Sequence, residues 1–79
     1  MDTKFPNRYI EMGLRIAYYR KKAGMTQEQL AEKSSLSVNL IGQVEGTGTV
    51  RGLSLESIFL ISDALEIQPG KILDHLDEE

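Results

Sequence analysis

Apolar residues recur at helical spacing along almost the whole chain, and no stretch alternates at period two. Met12, Ile16, Tyr19 and Ala23 mark the inner face of a first helix over residues 8–22, with Lys21 and Lys22 in its last turn and Gly24 closing it. Thr26 and Gln29 form a capping box that opens a second helix ending near Ser34, and Met25 and Leu30 staple its entry. Ser37 caps a third helix, Leu36 and Ile41 form a second staple, and Gly46 ends it. After a loop over residues 47–52, a fourth helix starts at Ser54 behind a Leu53–Ile58 staple. Its apolar face reads Leu55, Ile58, Phe59, Ser62 and Leu65, widened by Ile61. Pro69 stands at the first position of a fifth helix carrying Ile72, Leu73 and Leu76. The pattern predicts an all-α, compact five-helix bundle. Residues 1–7 form an N-terminal arm, 8–76 the folded module and 77–79 an acidic tail.

Helices two and three are joined by only a few residues near 34–36. So short a link forces a sharp corner, the helix-turn-helix arrangement. The N-terminus of helix three is then a candidate to enter a major groove. On the helical wheel Leu40, Ile41 and Val44 face one way and Val38, Asn39, Gly42 and Gln43 the other. The first set belongs to the core. In the second set, Asn and Gln are the side chains able to pair in bidentate fashion with adenine N6 and N7, and Val38 suits a thymine methyl. Gly42 costs about 1 kcal/mol against alanine inside a helix, and close approach to another surface is one reason to tolerate it. The plainer alternative is that Asn39 and Gln43 are ordinary solvated polar residues.

Composition narrows the chemistry. At 79 residues, 41% hydrophobic and 27% charged, the chain makes one domain with little room for a deep enzymatic cleft. It has no cysteine and one histidine, His75, which excludes disulfides, thiolate metal sites and a His-based zinc site. Asp74 and His75 are neighbours rather than a converging pair, and no nucleophile, base and orienting group come together. The chain is therefore read as a non-enzyme, with no cofactor, no metal and no evident small-molecule effector site. His75 is expected either to cap helix five or to stand exposed. No apolar run approaches ~18 residues, and the first eight residues lack a signal peptide's apolar stretch. A cytoplasmic location and no membrane partner are the corresponding expectations.

The formal net charge of −3 counts at first against nucleic acid. It is an average. Residues 1–33 carry seven basic against four acidic side chains, a balance of +3, and residues 34–79 two against eight, a balance of −6. The chain is a dipole along its sequence, so net charge says little about partners.

The stretch from Gly24 through Thr26-Gln27, Leu30-Ala31, Leu36-Ser37-Val38-Asn39 to Gln43-Val44-Glu45-Gly46 resembles the helix-turn-helix of the Xre family, the lambda-repressor-like DNA-binding domains. The run from Leu53 to Ile67 resembles that family's fourth helix, and Lys71-Ile72-Leu73 its fifth, so the resemblance spans about residues 8–76. It implies a lambda-repressor-like fold and a sequence-specific DNA-binding transcriptional regulator, with repression as the expected direction. Val38, Asn39 and Gln43 then fall at base-contacting positions. Gln27, Arg20, Ser37 and Arg51 fall at phosphate contacts, and Arg20 with Glu45 at an ion pair linking helices one and three. For Arg20 and Glu45 the alternative is a purely structural pair, and for Arg51 a solvated loop cation.

The departures are a helix three without Arg or Lys and a following loop with one cation. A positive patch then depends on helix one, through Arg15, Arg20, Lys21 and Lys22, and the expected salt dependence is shallow. The resemblance also implies a homodimer on a pseudo-palindromic double-stranded operator. Leu60, off the apolar face of helix four, marks a candidate dimer interface near helices four and five, the alternative being dimerisation through the N-terminal stretch from Phe5 to Tyr9, and Tyr18 is expected outside the core. The alternative function is a helix-turn-helix protein-interaction module or an antitoxin-type partner protein.

Overall fold

The computed structural model describes residues 2–76. Five helices follow one another: α1 Pro6–Lys22, α2 Gln27–Ser34, α3 Val38–Glu45, α4 Leu55–Ala64 and α5 Gly70–Leu73. Among the described residues there is no strand. The predicted five-helix bundle is the fold observed. The first boundary is corrected: α1 begins at Pro6 rather than Arg8 because proline's fixed φ and missing N–H suit the first helical turn. The arm is shorter by the same amount. The tail over 77–79 lies outside the described residues.

Local capping places the middle helices as predicted. Thr26 accepts from the Gln29 amide while the Gln29 side chain accepts from the Thr26 amide, a complete capping box. Ser37 and Ser54 accept from the Leu40 and Ser57 amides. Each such cap contributes about 1 kcal/mol. The residues between α2 and α3 make the sharp corner expected, with Ser35 in the left-handed region at φ 61°.

Three helix ends close in the same way. After α1, Gly24 turns left-handed at φ 73°, Gly24 N–H bonds the Lys21 carbonyl and Met25 N–H the Arg20 carbonyl. Ser35 and Glu66, at φ 61° and 57°, repeat this paired closure after α2 and α4 without a glycine. A side chain in that region costs about 1 kcal/mol. Glu66→Gly is therefore expected to raise stability by about 0.5–1 kcal/mol, read as a rise of several degrees in Tm. An unchanged or lower Tm would show that the Glu66 side chain offsets its own backbone strain.

The core takes one wholly buried aliphatic from every helix: Ile16, Leu30, Ile41, Ile61 and Ile72, each 0% exposed. Each contributes about 1.5–3 kcal/mol by leaving water. Around them pack Met12, Ala31, Val44, Ile58, Ala64 and Leu65. α3 lies against both α1 and α2, while α4 packs on α2 and α5 on α1.

The outward faces differ from expectation in several places. Leu55 and Phe59 of the predicted apolar face of α4 are exposed, because the buried side centres on Ile58, Ile61, Ser62 and Leu65. Leu60, expected outside, is half-buried, and so is Tyr9, which packs against the core. Ala23, expected inside, is exposed, since the chain turns away at Gly24. Tyr18 and Phe5 are exposed as expected. Arg15 joins no positive patch. Its guanidinium turns to the end of α5, donating to the carbonyls of Ile72 (3.1 Å), Asp74 and His75 (3.1 Å) and pairing with Glu11 at 2.8 Å. Arg15 thus caps α5 from another helix, and the exposed His75 supplies an acceptor carbonyl rather than a side-chain cap.

Candidate nucleic-acid interface

The recognition face of α3 is set by how deeply its other face is tied down. Ile41 and Val44 are buried and Leu40 is half-buried, so Val38, Asn39 and Gln43 are turned outward, Val38 being 47% exposed. The structure places all three predicted base-contact residues on this one exposed face. Ser37 stands exposed at its N-terminal edge, its hydroxyl oxygen accepting from Leu40 N–H at 3.1 Å and its own O–H left to donate.

A hydrogen-bonded network holds the inner end of α3. Arg20 Nε donates to Glu45 Oε2 at 2.7 Å and Nη2 to Oε1 at 2.9 Å, a bidentate pair. Arg20 Nη1 donates to the Met25 carbonyl at 2.7 Å, and Gln27 Nε2 donates to Glu45 Oε1 at 3.0 Å. Glu45 thereby ties the end of α3 to α1 and to the first turn of α2. A carboxylate at a helix C-terminus opposes the helix dipole, and the guanidinium offsets it. The side chains of Arg20 and Glu45 are only 10% and 6% exposed. The hydrogen bonds that Arg20 donates to Glu45 raise its pKa above the ordinary value, against the opposing effect of burial, and the carboxylate's charge adds to the rise. The predicted ion pair is present, and all three guanidinium nitrogens have internal acceptors, which leaves Arg20 little surface to offer a phosphate. Gln27 keeps one amide N–H beyond the bond to Glu45, at the N-terminus of α2 where a helix favours anions.

Two features important to this geometry escaped the sequence reading. A Cβ on Gly13, in the middle of α1, would fall 1.9 Å from the Val44 carbonyl oxygen. Within the domain the close helix-to-helix approach falls at Gly13. A Cβ on Gly42 would lie 3.6 Å from Gln27 Oε1, an ordinary contact. The available signal was the same for both: a glycine inside a helical pattern. The second feature joins two predicted site residues. Arg51 Nε donates to Gln43 Oε1 at 3.1 Å, so the phosphate candidate in the loop and the base candidate on α3 touch.

Comparison with known proteins agrees with this architecture. The Helix-turn-helix family matches residues 16–72. The chain is 38% identical over 55 residues to YazB of Bacillus subtilis (strain 168), an HTH-type transcriptional regulator that is itself uncharacterised, covering 70% of this chain and 72% of that protein. The restriction-modification controller protein C.AhdI from Aeromonas hydrophila superposes with a TM-score of 0.75 at 33% identity, over 81% of this chain and 94% of that one. The controller C.Esp1396I bound to a 25 base pair operator site superposes with a TM-score of 0.75 at 32% identity, over 87% and 88% of the two chains.

Proposed function

This chain belongs to the helix-turn-helix family of DNA-binding transcriptional regulators, and from that premise we propose that it binds a double-stranded operator as a homodimer, reading the major groove with α3. The observation that carries the reading is the single outward face of Val38, Asn39 and Gln43, presented by a helix whose other side is buried and clamped through Glu45. Gln27, Ser37 and Arg51 flank that face and are assigned to phosphates. Arg20 acts mainly through its pair with Glu45. The similar controller that binds a 25 base pair operator supports DNA as the partner. Among the described residues no helix is long and apolar enough to cross a membrane, and the cytoplasm is the proposed place of action.

A small module with a few base contacts binds tightly only when it is doubled. The dimer surface is assigned to the exposed apolar side of the arm and α4, through Phe5 (43% exposed), Leu55 (64%) and Phe59 (50%), with Tyr9 at its margin. Leu60 is half-buried and gives its place to these neighbours. A second reading, a partner protein docked on the module, is favoured by Leu14 and Tyr18, one turn apart on α1 and 49% and 58% exposed. The mass of the complexes isolated from the native host separates the two.

In vitro selection of bound DNA tests the proposal. The expected product is a pseudo-palindrome with half-sites about one helical turn apart. Gln43→Ala should weaken binding by about tenfold or more and flatten the preference at one position per half-site. With Arg15 and Arg20 turned inward, the affinity should fall with salt at a slope of only about −1 to −3 per protomer. Selection of nothing better than random DNA, with Gln43→Ala indistinguishable from wild type, would remove base reading.

A further inference from the structure

The guanidinium of Arg51 bridges its own loop and the exposed face of α3. Nη1 donates to the Gly52 carbonyl at 2.9 Å, and Nε donates to Gln43 Oε1 at 3.1 Å. Arginine carries donors only, so the atom of Gln43 that faces it must be the amide oxygen. This fixes the direction of a side-chain amide whose two ends are otherwise free to exchange. The amide nitrogen and its two N–H groups are left to point away from the guanidinium. Three of the five arginine N–H groups stay available for other acceptors.

We propose that Arg51 is a positioning residue for base readout: it holds Gln43 with its amide N–H groups toward the groove, so that this point of α3 favours guanine over adenine. The inference rests on the DNA-binding reading above. A glutamine free to turn both ends to a purine accepts from adenine N6 and donates to N7. With its oxygen turned to Arg51, which takes one of its two lone pairs, the side chain presents its N–H donors foremost. Guanine offers two acceptors on its major-groove edge, O6 and N7, whereas adenine sets one acceptor beside an amino group that needs an acceptor in return. The same arginine can still meet a phosphate through its remaining N–H groups, so positioning and backbone contact coexist. They differ in what their loss does. A phosphate contact weakens every sequence alike, and a positioning contact changes the preferred base.

The test compares the full-length wild type with Arg51→Ala, Arg51→Lys and Gln43→Ala, each selected against random duplexes at about 50 and 200 mM salt. The relevant base pair is the one whose preference Gln43→Ala flattens. Wild type is expected to select guanine there. Arg51→Ala should shift the guanine-to-adenine ratio toward adenine by about three- to tenfold, the range of one net hydrogen bond at a surface. Arg51→Lys, which can still donate to the Gln43 oxygen, should keep most of the guanine preference. In the DNA-free protein, NMR should show an ordered Gln43 side-chain amide that becomes mobile in Arg51→Ala. A wild-type preference for adenine overturns the proposal. So does an Arg51→Ala variant that loses affinity equally for all sequences with the ratio unchanged, the signature of a phosphate contact only. An equally mobile Gln43 amide in wild type and variant overturns it without any DNA. A Gln43 amide ordered by Arg51 in a protein that selects no sequence instead locates the failure in the DNA-binding reading, and base preference falls with it.

Discussion

Gly13→Ala is expected to destabilise the domain by about 2–4 kcal/mol and to weaken DNA binding with it. The added Cβ would sit 1.9 Å from the Val44 carbonyl oxygen and 3.0 Å from its carbon. Neither neighbour is a flexible side chain. Both belong to the backbone of α3, held by that helix's own hydrogen bonds, so α1 and α3 must separate. Overpacking of this kind costs about 1–3 kcal/mol when side chains can adjust and more when backbone must move. The gain in helix propensity, about 1 kcal/mol, works the other way and is already counted. For a domain this small the net loss is a large part of the total stability, which scales at roughly 0.05–0.15 kcal/mol per residue. Urea unfolding followed by circular dichroism reads the effect directly. Gly42→Ala is the internal control: its Cβ has room, 3.6 Å from Gln27 Oε1, so the folded state should gain up to about 1 kcal/mol. A Gly13→Ala midpoint at or above that of wild type would mean that the α1–α3 contact is loose.

The second large effect is expected at Glu45. Glu45→Ala leaves the Arg20 guanidinium enclosed with the Met25 carbonyl as its remaining described partner and removes the acceptor of Gln27. Breaking one side of a buried ion pair costs about 3–5 kcal/mol, most of it the uncompensated charge. Replacing both members, Arg20→Met with Glu45→Leu, should recover much of the stability, because an apolar pair of similar volume carries no such charge. The double-mutant cycle in urea then yields a coupling of at least about 1 kcal/mol. Additive single effects would show that the two side chains act separately. DNA binding supplies the complementary reading. If the pair's role is to aim α3, the stable double variant should still bind more weakly than wild type, since Gln27 and the end of α3 have lost their common anchor.

Much of this architecture was legible because its signals are local. Thr26 with Gln29, Ser37 and Ser54 identify their helix starts through hydrogen bonds that span three residues, and the alternation of faces on α3 follows from Ile41 and Val44 alone. The misreadings have a common physical origin. Glu66 ends α4 in a conformation that usually calls for glycine, so nothing in the residue type marks that turn. Leu55 and Phe59 look as apolar as Ile58 and Ile61, and only the position of α2 decides which of them is covered. Gly13 and Gly42 are the same residue in the same kind of helix, distinguished by a carbonyl of a helix 31 positions further on in one case and by a side-chain oxygen in the other. For the site, the face of Val38, Asn39 and Gln43 and the Arg20–Glu45 pair could be anticipated. The bridge from Arg51 to Gln43 could not, because it depends on the path of the loop over 47–52.

Arg15 gives the fold an order of completion. Its acceptors, the carbonyls of Ile72 and His75, lie 57 and 60 residues beyond it in the chain. The beginning of the domain is therefore finished by its end. A chain emerging from the ribosome can form the capped helices α2 and α3 and pack them on α1 early, but α1 gains its second partner only when α5 has been made. Until then the side of α1 that receives α5 is uncovered and Arg15 lacks its carbonyl acceptors. Incomplete chains should accordingly contact DNA poorly, and regulation would begin only with chains translated through the last turn.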